Sequence, residues 1–160
     1  MLEPSETFLL NGVVGERTPE NGFVEGFVIQ GGRLVEDYGG AVSTITTAMW
    51  HTAFYAGMTR IEQRAHSYWI SRYVAGLEAT VSWGTLDLKF RNDTPYGIVI
   101  WPSYTDTSIT VQLWSTRTAV GEQTAQNPTS GCGPVTTERT RTFTDGHTEK
   151  DTFRANYDCD

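Results

Sequence analysis

The residues best placed to do chemistry are Ser43 and the glycines ahead of it, in the run Gly39-Gly40-Ala41-Val42-Ser43-Thr44. That run leads straight into a segment of helical periodicity. The first amides of a helix have no partner within it, and that end favours developing negative charge. Two glycines also let a backbone come close to a ligand. A nucleophile at Ser43 would therefore lie beside a ready oxyanion site. The plainer reading of the same serine is a helix cap, a role for which Ser is a preferred residue, and the residue types alone favour it.

A serine hydroxyl is a poor nucleophile until a base takes its proton. His51 follows in the same helical segment, roughly 12 Å along the axis and too far for a direct hydrogen bond. His66, in Arg64-Ala65-His66-Ser67, is the better candidate base. His147 lies in a predicted hairpin turn and reads as a surface residue. Glu62, Glu78 and Asp87 are acids close to predicted strands; a buried one could orient an imidazole, although most acids in such a chain face solvent. Two cysteines and three histidines without metal-ligand spacing lead us to expect no metal centre, and no cofactor motif is present. Five tryptophans and seven tyrosines could stack on sugars, but core and rim packing is the commoner use.

These groups need elements to hold them. Residues 41–56 carry the one strong helical pattern, with Val42, Ile45, Ala48, Met49 and Ala53 on the expected core face and Gly57 just past the end. Ser43, Thr47 and His51 form a second stripe. Around it the pattern is β. A hairpin is predicted from Phe27–Gln30 and Arg33–Val35 across Gly31-Gly32, and Asn11-Gly12 and Asn21-Gly22 read as turns. Further strands are expected at 60–64, 68–73, 79–82, 86–91, 97–101 and 108–115, with turns at Asn92–Pro95 and Thr105-Asp106. Residues 118–131 read as a linker-like loop before a last hairpin that turns at Thr144-Asp145-Gly146. The fold class is therefore α+β, mostly antiparallel sheet with one main helix and a C-terminal hairpin.

That hairpin has two possible registers. A three-residue loop sets Arg141 opposite Glu149 and Arg139 opposite Asp151, whereas a two-residue loop puts Cys132 opposite Cys159. Either brings the cysteines close, so a Cys132–Cys159 disulfide is expected in an exported chain.

The 160 residues suffice for a buried core and favour one domain. Twelve basic against 19 acidic residues give a net charge of -7, the wrong sign for a nucleic-acid partner. No apolar run is long enough to span a membrane and the first residues do not form a signal peptide, so any export signal or anchor is expected upstream, in a segment not seen here.

The order of several motifs resembles the VanW family. Pro4, Glu6-Thr7-Phe8, Asn11 to Thr18 and Gly22-Phe23 match its opening. Gly39 to Thr47 stands where that family has Gly-Gly-Gly-(Val/Ile)-Cys-Gln-Val-Ser/Thr. His66-Ser67, Ser71-Arg72-Tyr73, Gly76, Glu78 to Val81 and Asp87 to Asn92 continue it in sequence, and the resemblance spans roughly residues 4–115. It implies an exported, cell-wall-associated protein of a family named for vancomycin (glycopeptide) resistance clusters, with peptidoglycan or its stem peptides as partner. Some members are similar to L,D-transpeptidases and use the motif cysteine to form an acyl-enzyme. Carried onto this chain, the nucleophile position is Ser43, His66 matches the family histidine, and Glu78 and Asp87 match acidic positions. Gly39, Gly40, Thr44 and Arg72 fall in the matched runs and would contribute to binding.

The departures bear on activity. Ser43 replaces cysteine, Thr44 glutamine, Ala41 glycine and His51 asparagine. A thiolate at a helix N-terminus is reactive near neutral pH, whereas a serine hydroxyl there stays protonated. The expectation is an extracytoplasmic VanW-like domain over residues 1–117, its N-terminal part truncated, with a linker-like 118–131 and a hairpin over 132–160. It would bind wall peptides with catalysis lost or altered; an active acyltransferase with Ser43 and His66 is the alternative.

Overall fold

The computed structural model describes residues 1–30, 33–128 and 132–158. Its elements follow the expected α+β class. One three-stranded antiparallel sheet has the order β1 (Thr7–Leu9), β5 (Lys89–Arg91) and β4 (Thr59–Glu62). The main helix, α2, spans Val42–Tyr55. A second three-stranded sheet is built from β8 (Ala119–Asn127), β9 (Gly133–Phe143) and β10 (Thr148–Tyr157), with β9 in the middle. Two hairpins complete the fold: β2 (Glu25–Gln30) with β3 (Arg33–Tyr38), and β6 (Val99–Tyr104) with β7 (Ile109–Trp114).

The core forms where these layers meet. Met49, Trp50, Ala53 and Phe54 of α2 pack with Phe8, Leu77, Leu88, Phe90 and Phe153 in one buried cluster. Trp50, Phe54 and Phe153 meet edge to face or tilted, with ring centroids 5.4–6.0 Å apart. The apolar stripe expected on α2 is thus rotated: Thr46, Thr47, Trp50 and Phe54 are buried, while Val42, Ile45 and Ala48 are only half-buried. The bulk of Trp50 and Phe54 decides which face turns inward, because large aromatics gain most from burial.

The helix ends as expected. Gly57 adopts φ 75°, and the N–H groups of Met58 and Gly57 donate to the carbonyls of Ala53 and Phe54, the paired bonds of a Schellman cap. What no pattern announced is the burial of Arg139. Its side chain is fully buried, donating to the Phe54 and Met58 carbonyls at 2.9 and 3.0 Å and to Asp151 at 2.7 Å. The guanidinium also lies 4.9 Å from the Phe54 ring centroid and 5.5 Å from that of Phe153. It caps the helix terminus with a positive charge while filling the core.

The hairpin of β9 and β10 takes the three-residue loop. Arg141 faces Glu149 and Arg139 faces Asp151, with Gly146 at φ 92°. Cys159 lies outside the described residues, and so does the expected disulfide; so too does the Gly31-Gly32 turn.

Four expectations are corrected. The linker-like stretch 118–131 carries β8, paired along β9 with a register shift between Gln123 and Ala125. Its Thr, Gln and Asn content hid it, because an edge strand partly open to water needs few apolar side chains. Asn11-Gly12 lies within a short helix, α1 (Leu10–Val14), rather than in a turn. Residues 68–73 and 79–82 are not regular strands; each contributes a single isolated bridge, Tyr68 with Asp158 and Ser82 with Leu86. Finally, Trp83, Trp101 and Trp114 are 46–62% exposed rather than packed.

Candidate functional site

Ser43 and His66 line one cleft of about 740 Å³. One side is the mouth of α2, with Gly39, Ala41, Val42 and Ser43. The loop that carries His66, Trp69, Arg72 and Tyr73 forms the next side, followed by Thr80 to Trp83. The β2–β3 hairpin closes the cleft with Phe27, Val28, Ile29 and Leu34.

The helix mouth is built differently from the simple cap expected of Ser43. The capping position is Ala41, in the left-handed region at φ 66°, and no side chain caps the helix. Ser43 is the second helical residue. Two of the early amides are already used: Val42 N–H donates to the Gly39 carbonyl at 3.2 Å and Thr44 N–H to that of Ala41 at 2.8 Å. The glycines serve the scaffold first. Gly39 has φ 79°, and a Cβ there would lie 2.5 Å from Arg17 Cγ. A Cβ at Gly40 would lie 2.3 Å from the Gly26 carbonyl carbon on β2. Gly40 thus lets the helix mouth and the hairpin touch backbone to backbone, and unlike Gly39 it does not line the cleft.

The polar stripe of α2 clamps the segment 77–80. Ser43 Oγ lies 3.5 Å from Thr80 Oγ1. One turn on, Thr47 Oγ1 donates to the Ala79 carbonyl at 3.3 Å and lies 3.1 Å from the Ala79 nitrogen, which donates to it. A further turn on, His51 meets the Leu77 backbone. Burial holds the His51 imidazole below its usual range, and that backbone contact and the Glu78 charge only partly oppose the effect. These contacts fix Glu78, fully buried, between Leu77 and Ala79.

His66 is also buried, and its Nδ1 lies 3.8 Å from Glu78 Oε2. Neither atom has a hydrogen-bond partner, although neither has contact with water. The imidazole stacks on the Tyr73 ring at 5.9 Å, with the planes only 5° apart. The other carboxylate oxygen, Oε1, accepts a hydrogen bond of 2.6 Å from the Tyr157 hydroxyl, which in turn accepts one of 2.6 Å from Gly76 N–H. Burial, followed by the bond to Glu78, pushes the Tyr157 hydroxyl above its usual range.

The structure thus brings Ser43, His66 and Arg72 to one cleft and sets Glu78 behind His66. Among the described residues no hydrogen bond joins Ser43 to His66. Thr44 stands just outside the lining, where its hydroxyl lies 3.2 Å from Tyr73 Oη and 3.4 Å from Arg72 Nη2. Arg72 spreads over the Tyr73 ring at 4.8 Å and donates to its hydroxyl at 2.9 Å. Asp87 is apart from the cleft. Its carboxylate accepts from the amides of Asn11 and Leu88 at 2.9 and 2.8 Å, tying α1 to the strand that follows. His147 sits at the exposed hairpin turn beside Asp145. No group of His, Cys, Asp or Glu among the described residues could hold a metal ion, and no described helix is long and apolar enough to cross a membrane.

Reading by residue type missed Arg17, Thr80 and Tyr157. Arg17 lines the cleft with its Nη2 buried and unbonded, and burial lowers its affinity for a proton more than nearby Asp87 restores it. Tyr157 had a usable signal: Phe153, Ala155 and Tyr157 alternate along one strand face, and a buried tyrosine hydroxyl calls for a partner.

The family model described as VanW like protein matches residues 1–114. The uncharacterized protein YoaR of Bacillus subtilis (strain 168) is 31% identical over 112 residues, which is 70% of this chain and 37% of that protein. The vancomycin B-type resistance protein VanW of Enterococcus faecalis (strain ATCC 700802 / V583) is 26% identical over 120 residues, 72% of this chain and 44% of that protein. The chain therefore spans less than half the length of either relative. No solved structure matches it. With most of its length covered by the family model, including Ser43, His66 and Glu78, the chain belongs to the VanW-like family.

Proposed function

We propose that this domain works outside the cytoplasm at the cell wall, binding peptidoglycan stem peptides in the cleft without acyl transfer. The observation that carries the reading is the state of Ser43. Its hydroxyl shares a cleft with His66 but neighbours Thr80, and no hydrogen bond joins it to the imidazole that would have to activate it. A nucleophile and its base need that contact. The cleft nevertheless suits an anionic peptide. Arg72 and Arg17 line it with positive charge, the helix mouth adds its positive end, and Trp69 and Trp83 offer apolar faces.

The experiment is a titration of the domain with isolated muropeptides, followed by tryptophan fluorescence and by mass spectrometry of the ligand. Binding without a change in ligand mass is expected. A flat titration together with an unchanged ligand overturns the reading.

One observation favours acyl transfer as a second reading: the buried carboxylate of Glu78 behind His66 resembles the acid that orients a catalytic imidazole. In that case Ser43 Oγ would bond to a peptide carbonyl carbon, its proton would pass to His66, and the amine leaving group would take that proton. An adduct on Ser43 after treatment with a β-lactam or a serine-directed probe, seen by intact mass, would favour this reading over silent binding.

A further inference from the structure

We infer that Tyr157, on the last strand and beyond the residues the family model covers, is a positioning residue for His66 and acts through Glu78. The inference rests on the cleft being the working site, and it adds to that site a part supplied by the C-terminal sheet.

Three observations carry it. Tyr157 is 1% exposed and packs with Ala65, Ala75 and Val135, so its ring is fixed between the C-terminal sheet and the loop that bears His66. Its hydroxyl is committed on both sides, receiving the Gly76 N–H and donating to Glu78 Oε1, each at 2.6 Å. That leaves Glu78 Oε2 as the unbonded oxygen, facing the unbonded Nδ1 of His66 at 3.8 Å. Two orphaned polar atoms that face each other in a dry site lower their energy by closing into a hydrogen bond. The only rearrangement needed is a side-chain shift of less than about 1 Å, given ordinary bond lengths near 2.9 Å.

The consequence for His66 is a defined tautomer. A carboxylate behind Nδ1 holds the proton there and leaves Nε2 as the free base. Without the Tyr157 bond, Oε1 would be the unsatisfied atom and the carboxyl could rotate away from the ring. The other groups facing this arrangement are the Tyr73 ring stacked on the imidazole, Arg72 over that ring, and His51, which feels the Glu78 charge from α2.

The test uses the full chain, free of ligand, with the imidazole neutral and its nitrogens labelled with 15N. In the wild type the nitrogen shifts should report Nδ1–H as the main tautomer of His66. Tyr157→Phe keeps the ring packing and should lower that population severalfold, toward the Nε2–H form that histidine favours without a partner. Glu78→Gln should also shift the balance. A downfield, slowly exchanging hydroxyl proton should mark the Tyr157–Glu78 bond in the wild type and vanish in Tyr157→Phe, giving a readout that needs no stable variant. If that proton is absent, or if Tyr157→Phe leaves the His66 nitrogen shifts at wild-type values, Tyr157 only packs and the inference fails. Muropeptide binding is measured separately, so failure of this inference is told apart from failure of the reading it rests on.

Discussion

Arg139 Nη1 donates to the carbonyl of Phe54 across 85 residues of sequence, at 2.9 Å and out of contact with water. A strand that the family model does not cover thus closes the end of the helix whose other end opens the cleft. Replacing Arg139 with Met keeps the bulk but leaves the Phe54 and Met58 carbonyls without this donor and Asp151 without its nearest cation. The expected loss is about 3 kcal/mol of stability, read from denaturant midpoints. The neighbouring Arg141→Met, which breaks pairs with half-exposed Glu149 and partly exposed Asp151 but strands no backbone carbonyl, should cost less, about 1 kcal/mol.

Gly40→Ala should disturb the cleft from outside it. The added methyl would collide with the Gly26 backbone, so either the helix mouth or the β2–β3 hairpin has to move. A cost of about 1–3 kcal/mol is expected. Hydrogen exchange should rise in 25–30 and 33–38 while the β9–β10 amides keep their protection. Unchanged exchange in the hairpin would show that the close approach is not needed.

His51 gives a pH dependence with a definite sign. Its half-buried imidazole is held below the usual 6.5, so the unfolded chain takes up a proton before the folded one does. Its contribution is fully present above that value and is lost as pH falls through and below it. His51→Asn, which restores the residue usual in the family, should flatten the fall in denaturant midpoint on the acid side of pH 6.5. Parallel curves for the two proteins would remove His51 as the cause.

Ser43→Cys tests the helix mouth directly. A thiol at the second helical position should react with iodoacetamide faster than one at the exposed turn, as in Thr144→Cys, because the helix end stabilises the thiolate. Equal rates would mean that the remaining amides give no such assistance, and would also weaken any acyl-transfer reading.

The expected Cys132–Cys159 bridge is tested by alkylation and intact mass, with and without reductant. No label before reduction and two after are expected. Closing a loop of this size stabilises by about 3 kcal/mol, so reduction should lower the melting temperature. Free labelling without reductant would refute the bridge.

The sequence made the main helix, its glycine stop and most turns readable and narrowed the last hairpin to two registers, because each rests on local chemistry: periodicity, left-handed positions, and charges placed in opposition. Ser43 and His66 were legible as residue types; that they line one cleft is set by the fold. The cap at Ala41 was not, since an alanine in the left-handed region has no signature in sequence. Nor was β8, whose polar residues pair at an edge. The partners of Arg139 and Tyr157 were hidden for a further reason. Each acts on a partner some 80 residues away, and a buried arginine looks like any surface arginine until the carbonyls it serves are known.

The final sheet also separates two kinds of boundary. The family model stops at residue 114, yet Trp50 and Phe54 rest on Phe153, and the helix carbonyls and Glu78 are satisfied from β9 and β10. A fragment trimmed to the recognisable portion would carry a helix end open to water, a stranded buried acid and an uncovered aromatic cluster. In this protein, ancestry and cooperativity draw their borders at different residues. The stretch least marked by kinship therefore helps decide whether the shared part folds.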